Sequence, residues 1–433
     1  MLDFETFGNR ETIKNYDVIV CGGGPAGFST AISAARTGAN VLVVERNLCL
    51  GGIWTAGLLP WILDIKTKSG QGILKEMLEE LSEQKAGRFI NDGVKFSCDV
   101  EEMKLYLEQK CVAEHVDLLY GASVCGVKQK DRKITYIAVN SKSGIEYFSA
   151  KAYIDATGDG DLGAMAGCSF RSGDGKGNHQ PMSLIALLCG VDLAKVKTMN
   201  NSESIPGNNP KKNLLEEMKR AGVTPSYSQP TLMQLTDDGI FALMSNHEYG
   251  VQSNENDKIT KAVIHARKEL QDTVKSLKKL GGAWENVRLI ATAGQIGVRE
   301  GRQIEGIYVI SKDDVFEGRQ FEDAICDVSN KVDIHSPKKE QGGGVIDVGK
   351  ISKPYQIPLR ALIAKENDSL IMAGRCISGD FYAHSTFRLT GNAVETGCAA
   401  GILAALSVQK DKKPADISAV EILEKKREIF NEK

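Results

Sequence analysis

The sequence predicts an α/β protein: a Rossmann-type dinucleotide-binding domain carrying an inserted α+β domain. Three observations lead there. The apolar run at residues 18–21 breaks into three glycines and restarts as a helix. A second apolar run, NVLVV, ends in Glu45, about twenty positions after the glycines, the spacing of such domains. From Ser172 the composition shifts to polar, glycine-rich loops (GDGKGNHQP, NNSESIPGNNPKK), before apolar strand and helix patterns return near the C-terminus.

Each element follows in order. VIVC is too apolar for anything but a central strand. Gly22, Gly24 and Gly27 fit G-x-G-x-x-G, with Pro25 and Ala26 between them. The first allows the tight turn, the second lets backbone approach a pyrophosphate, and the third lets the helix pack on the strand. The helix AGFSTAISAART stops at Gly38. Glu45 suits hydrogen bonds from an adenosine ribose; Arg46 beside it leaves a 2′-phosphate slightly open. FAD and NAD share this fingerprint, and the next loop favours FAD. LCLGGIWTAGL, residues 48–58, offers Gly51, Gly52 and Ala56 where NAD domains run into a plain helix. Residues 72–86 and 99–114 read as structural amphipathic helices. AYIDATGDGDL delivers Thr157, Gly158 and Asp159 to the carboxyl edge of the sheet, where ligands bind. Residues 257–280 space Ile259, Val263, Ile264, Ala266, Leu270 and Val274 as a helix, and strand-like runs such as RQIEGIYVIS follow. SLIMAGRCISGD then reads as a last strand and polar loop, and FRLTGNAVETGCAAGILAAL as a long helix whose N-terminus suits a negatively charged atom.

The totals narrow the function. Acidic and basic residues number 56 and 54, giving a net charge of −2, so no field for nucleic acid or an anionic membrane is expected. No apolar run reads as a membrane span, the polar N-terminal stretch does not read as a secretory signal, and a cytoplasmic location is expected. Ten cysteines occur without one C-x-x-C pair, which points to reduced thiols and no metal site.

From YDVIVCGGGPAG to GCAAG, the chain resembles the FAD-dependent oxidoreductase family grouped with heterodisulfide reductase-like and fumarate reductase-like flavoproteins. The resemblance rests on LGGIWTAGL, IDATGDGDL, IGVREGRQIEGIYVISKDD, YQIPLRAL and LIMAGRCISGD. It implies a three-layer, glutathione reductase-like FAD-binding domain from residues 1–165 and 352–433, with an inserted substrate or cap domain at 166–351. KEQGGGVIDVGKISKPYQIP then reads as the return into the flavin domain. It further implies that Val124 meets the adenine and that Asp380, after Gly379, accepts a ribityl hydroxyl; an N-cap role for Asp380 is compatible. RLTGNA is similar to the R-L-G-G-N-A run of fumarate reductase-like enzymes, with Thr390 replacing a glycine. By that match Gly391 and Asn392 approach the ring and Arg388 binds a substrate carboxylate.

Histidine carries protons near neutral pH, so His384, four residues before Arg388, is a candidate acid–base group, as is His179 from the glycine-rich loop. Arg299, with Glu300 and Arg302, would bring an anion-binding group from the insert. Cys49 and Cys376 are the thiols nearest flavin motifs. These readings converge on an FAD enzyme transferring hydride between the flavin and a small carboxylated substrate. Two alternatives stay open: an electron-transfer flavoprotein serving a redox protein partner, and a flavin monooxygenase. The W-x-W-x-I-P run of halogenases is absent.

Overall fold

The computed structural model describes residues 13–65, 72–235, 239–338 and 344–431. The first twelve residues and 339–343, within the glycine-rich return, lie outside them.

The strand Lys14–Cys21 is fully buried over its last four residues and sits in the middle of the main sheet. Parallel to it run Val41–Glu45 on one side and Gly144–Asp155 on the other, with Cys21 opposite both Val44 and Asp155. Asp117–Tyr120 extends the sheet beyond Val41–Glu45, and Leu370–Met372 pairs with the end of Gly144–Asp155, placing Met372 opposite Asp155. Four strand ends, at Cys21, Glu45, Asp155 and Met372, therefore share one carboxyl edge, where open parallel sheets bind ligands. The first half of Gly144–Asp155 pairs antiparallel with Lys133–Ser141, which pairs with Ser123–Lys130.

Two helices cross over this sheet and set the position of everything at its edge. Pro25–Arg36 starts directly from the glycine turn. Thr390–Gln409 packs on it through Gly397 and Gly401: a Cβ at Gly397 would lie 2.3 Å from the Ala26 carbonyl oxygen, and one at Gly401 2.2 Å from that of Thr30. Thr390–Gln409 is long and apolar enough to cross a membrane, contrary to the expectation that no segment would be. It is a core helix here, with 94% of its most apolar window buried inside the protein.

A second core lies in the insert. Four antiparallel strands, in the order Thr231–Gln234, Phe241–Met244, Ala186–Cys189 and Arg288–Thr292, form its sheet. The helix Asn256–Leu280 lies against it through Ala262, Ala266, Leu270, Val274 and Leu277. Ile264, expected on that face, is exposed: two positions from Ala266, it points about 200° round the helix.

The packing boundary differs from the compositional one. Ile304, Ile310, Val315, Ile325 and Val328 belong to the first core, whereas Leu58, Trp61, Ile90 and Val100 join the second. Only Gln303–Ile304 of the run RQIEGIYVIS forms a strand, paired with Phe170–Arg171. The chain thus rejoins the first core soon after residue 300, because these apolar side chains cover the segment around Tyr355–Pro358 rather than the insert sheet.

Gly401→Ala forces a methyl onto the Thr30 carbonyl. It is expected to cost ~1–3 kcal/mol and to lower the midpoint of thermal unfolding by a few degrees.

Candidate functional site

A cavity of about 860 Å³ opens along the carboxyl edge of the main sheet and continues under the insert. Cys21, Val44, Ala156 and Ala373, at or just beyond the strand ends, form its floor.

At its first half the glycine turn takes up three distinct geometries. Gly22 has φ +99° and no room for a side chain, since a Cβ would meet the Ala156 carbonyl oxygen at 2.5 Å. Gly24 faces open space, with nothing within 4 Å of a Cβ position. Gly27 is pressed onto the turn, its Cβ position 1.8 Å from the Gly22 oxygen. The helix Pro25–Arg36 has Gly24 as N-cap, no side-chain cap and no acid in its first turn, so its amides and dipole are free for an anion. Glu45 is held by three donors: its Oε2 accepts from the Gly23 amide at 2.6 Å, and its Oε1 from the Asn47 amide and side chain at 2.7 Å each. That uses three of the roughly four acceptor positions of a carboxylate. Arg46 and Val124 line the cavity beside it.

The loop after Glu45 stacks on the turn. The Gly51 amide donates to the Gly23 oxygen at 2.8 Å, and Gly52, with φ +52°, lines the cavity. Ala56 does not reach it; its carbonyl accepts from the Gln295 amide of the insert. Thr157 and Gly158 line the floor, whereas Asp159 turns away and accepts from Arg375 Nη2 at 3.1 Å.

Several expected residues stand elsewhere. Asp380 caps the helix Phe381–Phe387, accepting from the amides of Tyr382 and Ala383 at 2.9 Å, and also from Lys312 at 2.6 Å. Gly379 packs against the Phe387 ring. Neither borders the cavity; Gly374 and Arg375, five residues earlier, do. The chain turns sharply at Gly374 (φ +74°) right after Leu370–Met372, so the polar group nearest the strand end is Arg375. The A-G-R triplet following a strand was the overlooked signal.

At the start of Thr390–Gln409, Leu389, Thr390 and Ala393 face the cavity. Gly391 instead donates its amide to the Leu63 oxygen at 2.9 Å, and Asn392, fully buried, donates to the Asp327 oxygen at 3.3 Å. His384 is also fully buried, edge-on to Phe387 at 5.5 Å and away from the cavity. Burial and the nearby Arg388 and Arg375 charges push its pKa well below the usual range, so it is not the imidazolium acid that its sequence position suggested. His179 hydrogen-bonds Ser172 at 2.9 Å outside the cavity wall. Cys376 is buried against the Asp155 oxygen and Cys49 beside Thr55; burial raises both thiol pKa values, and neither lines the cavity.

Arg388 and Arg299 do meet at the far half. Arg388 Nη2 contacts Asp333 Oδ2 at 3.0 Å, while its buried Nε has no partner. Arg299 reaches in from the insert, held by the Pro181 oxygen at 2.6 Å and Ser183 Oγ at 3.0 Å. Burial lowers both pKa values, that of Arg299 to about 10, which leaves Arg299 charged at neutral pH. Tyr227, Asp333, His335, Lys95 and Lys211 complete this half and carry no local motif. His335, 5.6 Å from the Tyr227 ring, is neutral because burial and Arg299 bring its pKa to about 3. Asp161, also unanticipated, lines the floor and pairs with Arg302; burial and Asp159 raise its pKa to about 6.

The family model for FAD dependent oxidoreductases matches residues 17–426. Thiamine thiazole synthase from Methanococcus aeolicus is 30% identical over 151 residues, 33% of this chain and 54% of that protein. Its counterpart from Sulfolobus acidocaldarius is 29% identical over 161 residues, 35% of this chain and 58% of that one. The chain thus spans little more than half the length of these relatives. The solved p-nitrophenol 4-monooxygenase from Pseudomonas putida shares the fold, with a TM-score of 0.51 and 9% identity over 96% of this chain and 90% of that one. FAD is the cofactor of this family, and the cavity suits it. Backbone without side chains and an uncapped helix face the place for a pyrophosphate, and the buried Arg375 Nη1 lacks a partner among the described residues.

Arg375→Met is expected to weaken FAD binding by roughly tenfold or more through the lost charged hydrogen bond. Asp380→Ala, which removes a cap, should cost ~1 kcal/mol of stability and leave FAD affinity unchanged; flavin titration and thermal melts separate the two. Glu300 gives a pH signature. Burial raises its pKa to about 7, against the Gln180 amide that donates to its Oε2 at 3.1 Å. A carboxyl group raised above its unfolded value loses stability as pH climbs from about 4.5 through 7. Glu300→Gln should therefore melt like the parent at pH 4.5 and at a higher temperature than the parent at pH 8.

Proposed function

Because the chain belongs to the FAD dependent oxidoreductase family, we propose that it transfers hydride between FAD and a small carboxylated organic substrate held between Arg299 and Arg388. The observation that carries this reading is the meeting of two buried guanidinium groups, one from the insert and one beside the start of Thr390–Gln409, in one cavity. Bound FAD supplies two-electron redox chemistry at its N5 position.

The chain's own residues orient the substrate. Arg388 is braced by Asp333 through Nη2, and its Nε, without a partner among the described residues, together with Nη1 leaves guanidinium N–H donors for a carboxylate. Arg299 is fixed by the Pro181 carbonyl and Ser183, so it needs little reorganisation to take the same anion. Ile185, Met233 and Met244 add apolar wall beside the arginines, which lowers the local dielectric and strengthens both contacts. Tyr227 stays protonated through the neutral range, its pKa raised by burial to about 12, and offers a hydroxyl donor beside the arginines. A recessed, arginine-bearing cavity favours a small molecule over a protein surface as the redox partner.

Arg388→Gln leaves the fold's packing nearly intact and removes the fork. We expect reoxidation of the reduced enzyme by fumarate or crotonate to slow on the order of a hundredfold, because a buried charged contact is lost. Arg388→Lys should recover part of the rate, and the flavin content of both variants should match the parent. Stopped-flow absorbance at the flavin band measures this.

A further inference from the structure

Three lysines line the cavity, Lys95, Lys211 and Lys331; Lys331 is exposed, whereas Lys95 and Lys211 are half-buried and have no part in the reading above. Lys95 sits at the start of the strand Lys95–Cys98, with its ammonium 4.5 Å from the centre of the Trp61 ring. Lys211 belongs to the first turn of the helix Pro210–Arg220, whose Leu214 and Met218 are anchored in the second core. Both line the same cavity as Arg299 and Arg388. Among the described residues, neither ammonium has a carboxylate partner within ion-pair distance.

That is unusual for this molecule. Lys110, also partly buried, is paired with Glu76 and Glu80 at 2.8 and 2.7 Å, and Lys426 with Glu395 at 2.8 Å. Cations withdrawn from water are ordinarily neutralised in this way. In the far half of the cavity Arg299, Arg388, Lys95 and Lys211 meet, and Asp333, engaged by Arg388, offsets one charge. Burial and then the charge of Lys211 lower the Lys95 pKa to about 8. Lys211 in turn feels burial, Asp333 and Arg299. The two lysines repel each other, and an anion between them would relieve that repulsion.

We infer that the substrate is a dianion: beyond the carboxylate taken by Arg299 and Arg388, it carries a second anionic group, carboxylate or phosphoryl, that Lys95 and Lys211 hold. This rests on the reading that the arginine pair binds a carboxylate. Arginine forks suit the planar group, whereas lysine ammoniums act as point charges and accept either chemistry. Lys95 and Lys211 thereby determine specificity, and they take no part in the redox step.

The test is a titration of the oxidised holoenzyme with propionate, succinate and 3-phosphonopropionate, following the shift of the flavin absorption band. In the parent protein the two dianions should bind roughly tenfold or more tightly than propionate, as paired charges at a desolvated site do. The stronger of the two identifies the second group as carboxylate or phosphoryl. Lys95→Gln/Lys211→Gln should bring all three acids to similar affinity, while Lys95→Arg/Lys211→Arg keeps the preference. Both variants are compared at equal flavin content, which excludes misfolding. If the lysine variant keeps the parent's ratio of dianion to propionate affinity, the inference is overturned while the arginine reading stands. If no acid shifts the band in the parent, both fall together.

Discussion

The structure depends on a close approach of backbones that excludes side chains. Gly27 is pressed against the Gly22 carbonyl, and Gly397 and Gly401 against those of Ala26 and Thr30. A Cβ at any of these positions would collide with an oxygen held in place by a helix or a turn, so nothing nearby can give way. The result is that Pro25–Arg36 and Thr390–Gln409, far apart in sequence, are locked together with their N-termini at the same edge of the sheet. One end of that edge is thereby suited to a pyrophosphate, and the other is brought within reach of the insert.

The charges follow from this frame. The floor of the cavity is acidic around Asp155, Asp159 and Asp161, and these groups are satisfied locally by Thr157, Gly163, Arg375 and Arg302. The far half is basic, and its cations are only partly neutralised. Withdrawing cations from water with fewer counter-charges than cations costs stability. The same logic distinguishes His384 from the arginines. A fully buried imidazole packed on Phe387 is held neutral and inert, whereas a guanidinium keeps its charge under comparable burial.

Much of the fold was legible because its signals are local. The glycine fingerprint, Glu45 at the strand end, the doublet at Gly51 and Gly52, and the turn at Thr157 and Gly158 each encode a backbone path, and the structure places them around one edge. Positions that depend on which way a short helix faces were not legible: Asp380 and His384 flank the right region, yet their helix directs both away from the cavity. Asn392 lies one residue from the cavity-lining Ala393 and points into the core instead. Lys95, Lys211, Tyr227, Asp333 and His335 come from separate segments and share no spacing, so only tertiary structure gathers them. Core membership was not legible either: Ile304, Ile310, Val315, Ile325 and Val328 lie far from the glycine fingerprint in sequence, yet pack in the first core.

The most direct measurement is anaerobic. The purified protein is reduced with dithionite, and its reoxidation is followed with a panel of unsaturated carboxylic acids and, in parallel, their methyl esters of the same shape. The account predicts a flavin spectrum and rapid reoxidation by at least one acid, with the matching ester slower by on the order of a hundredfold. Equal rates with acid and ester, or no response to any small molecule alongside a stable semiquinone, would contradict it.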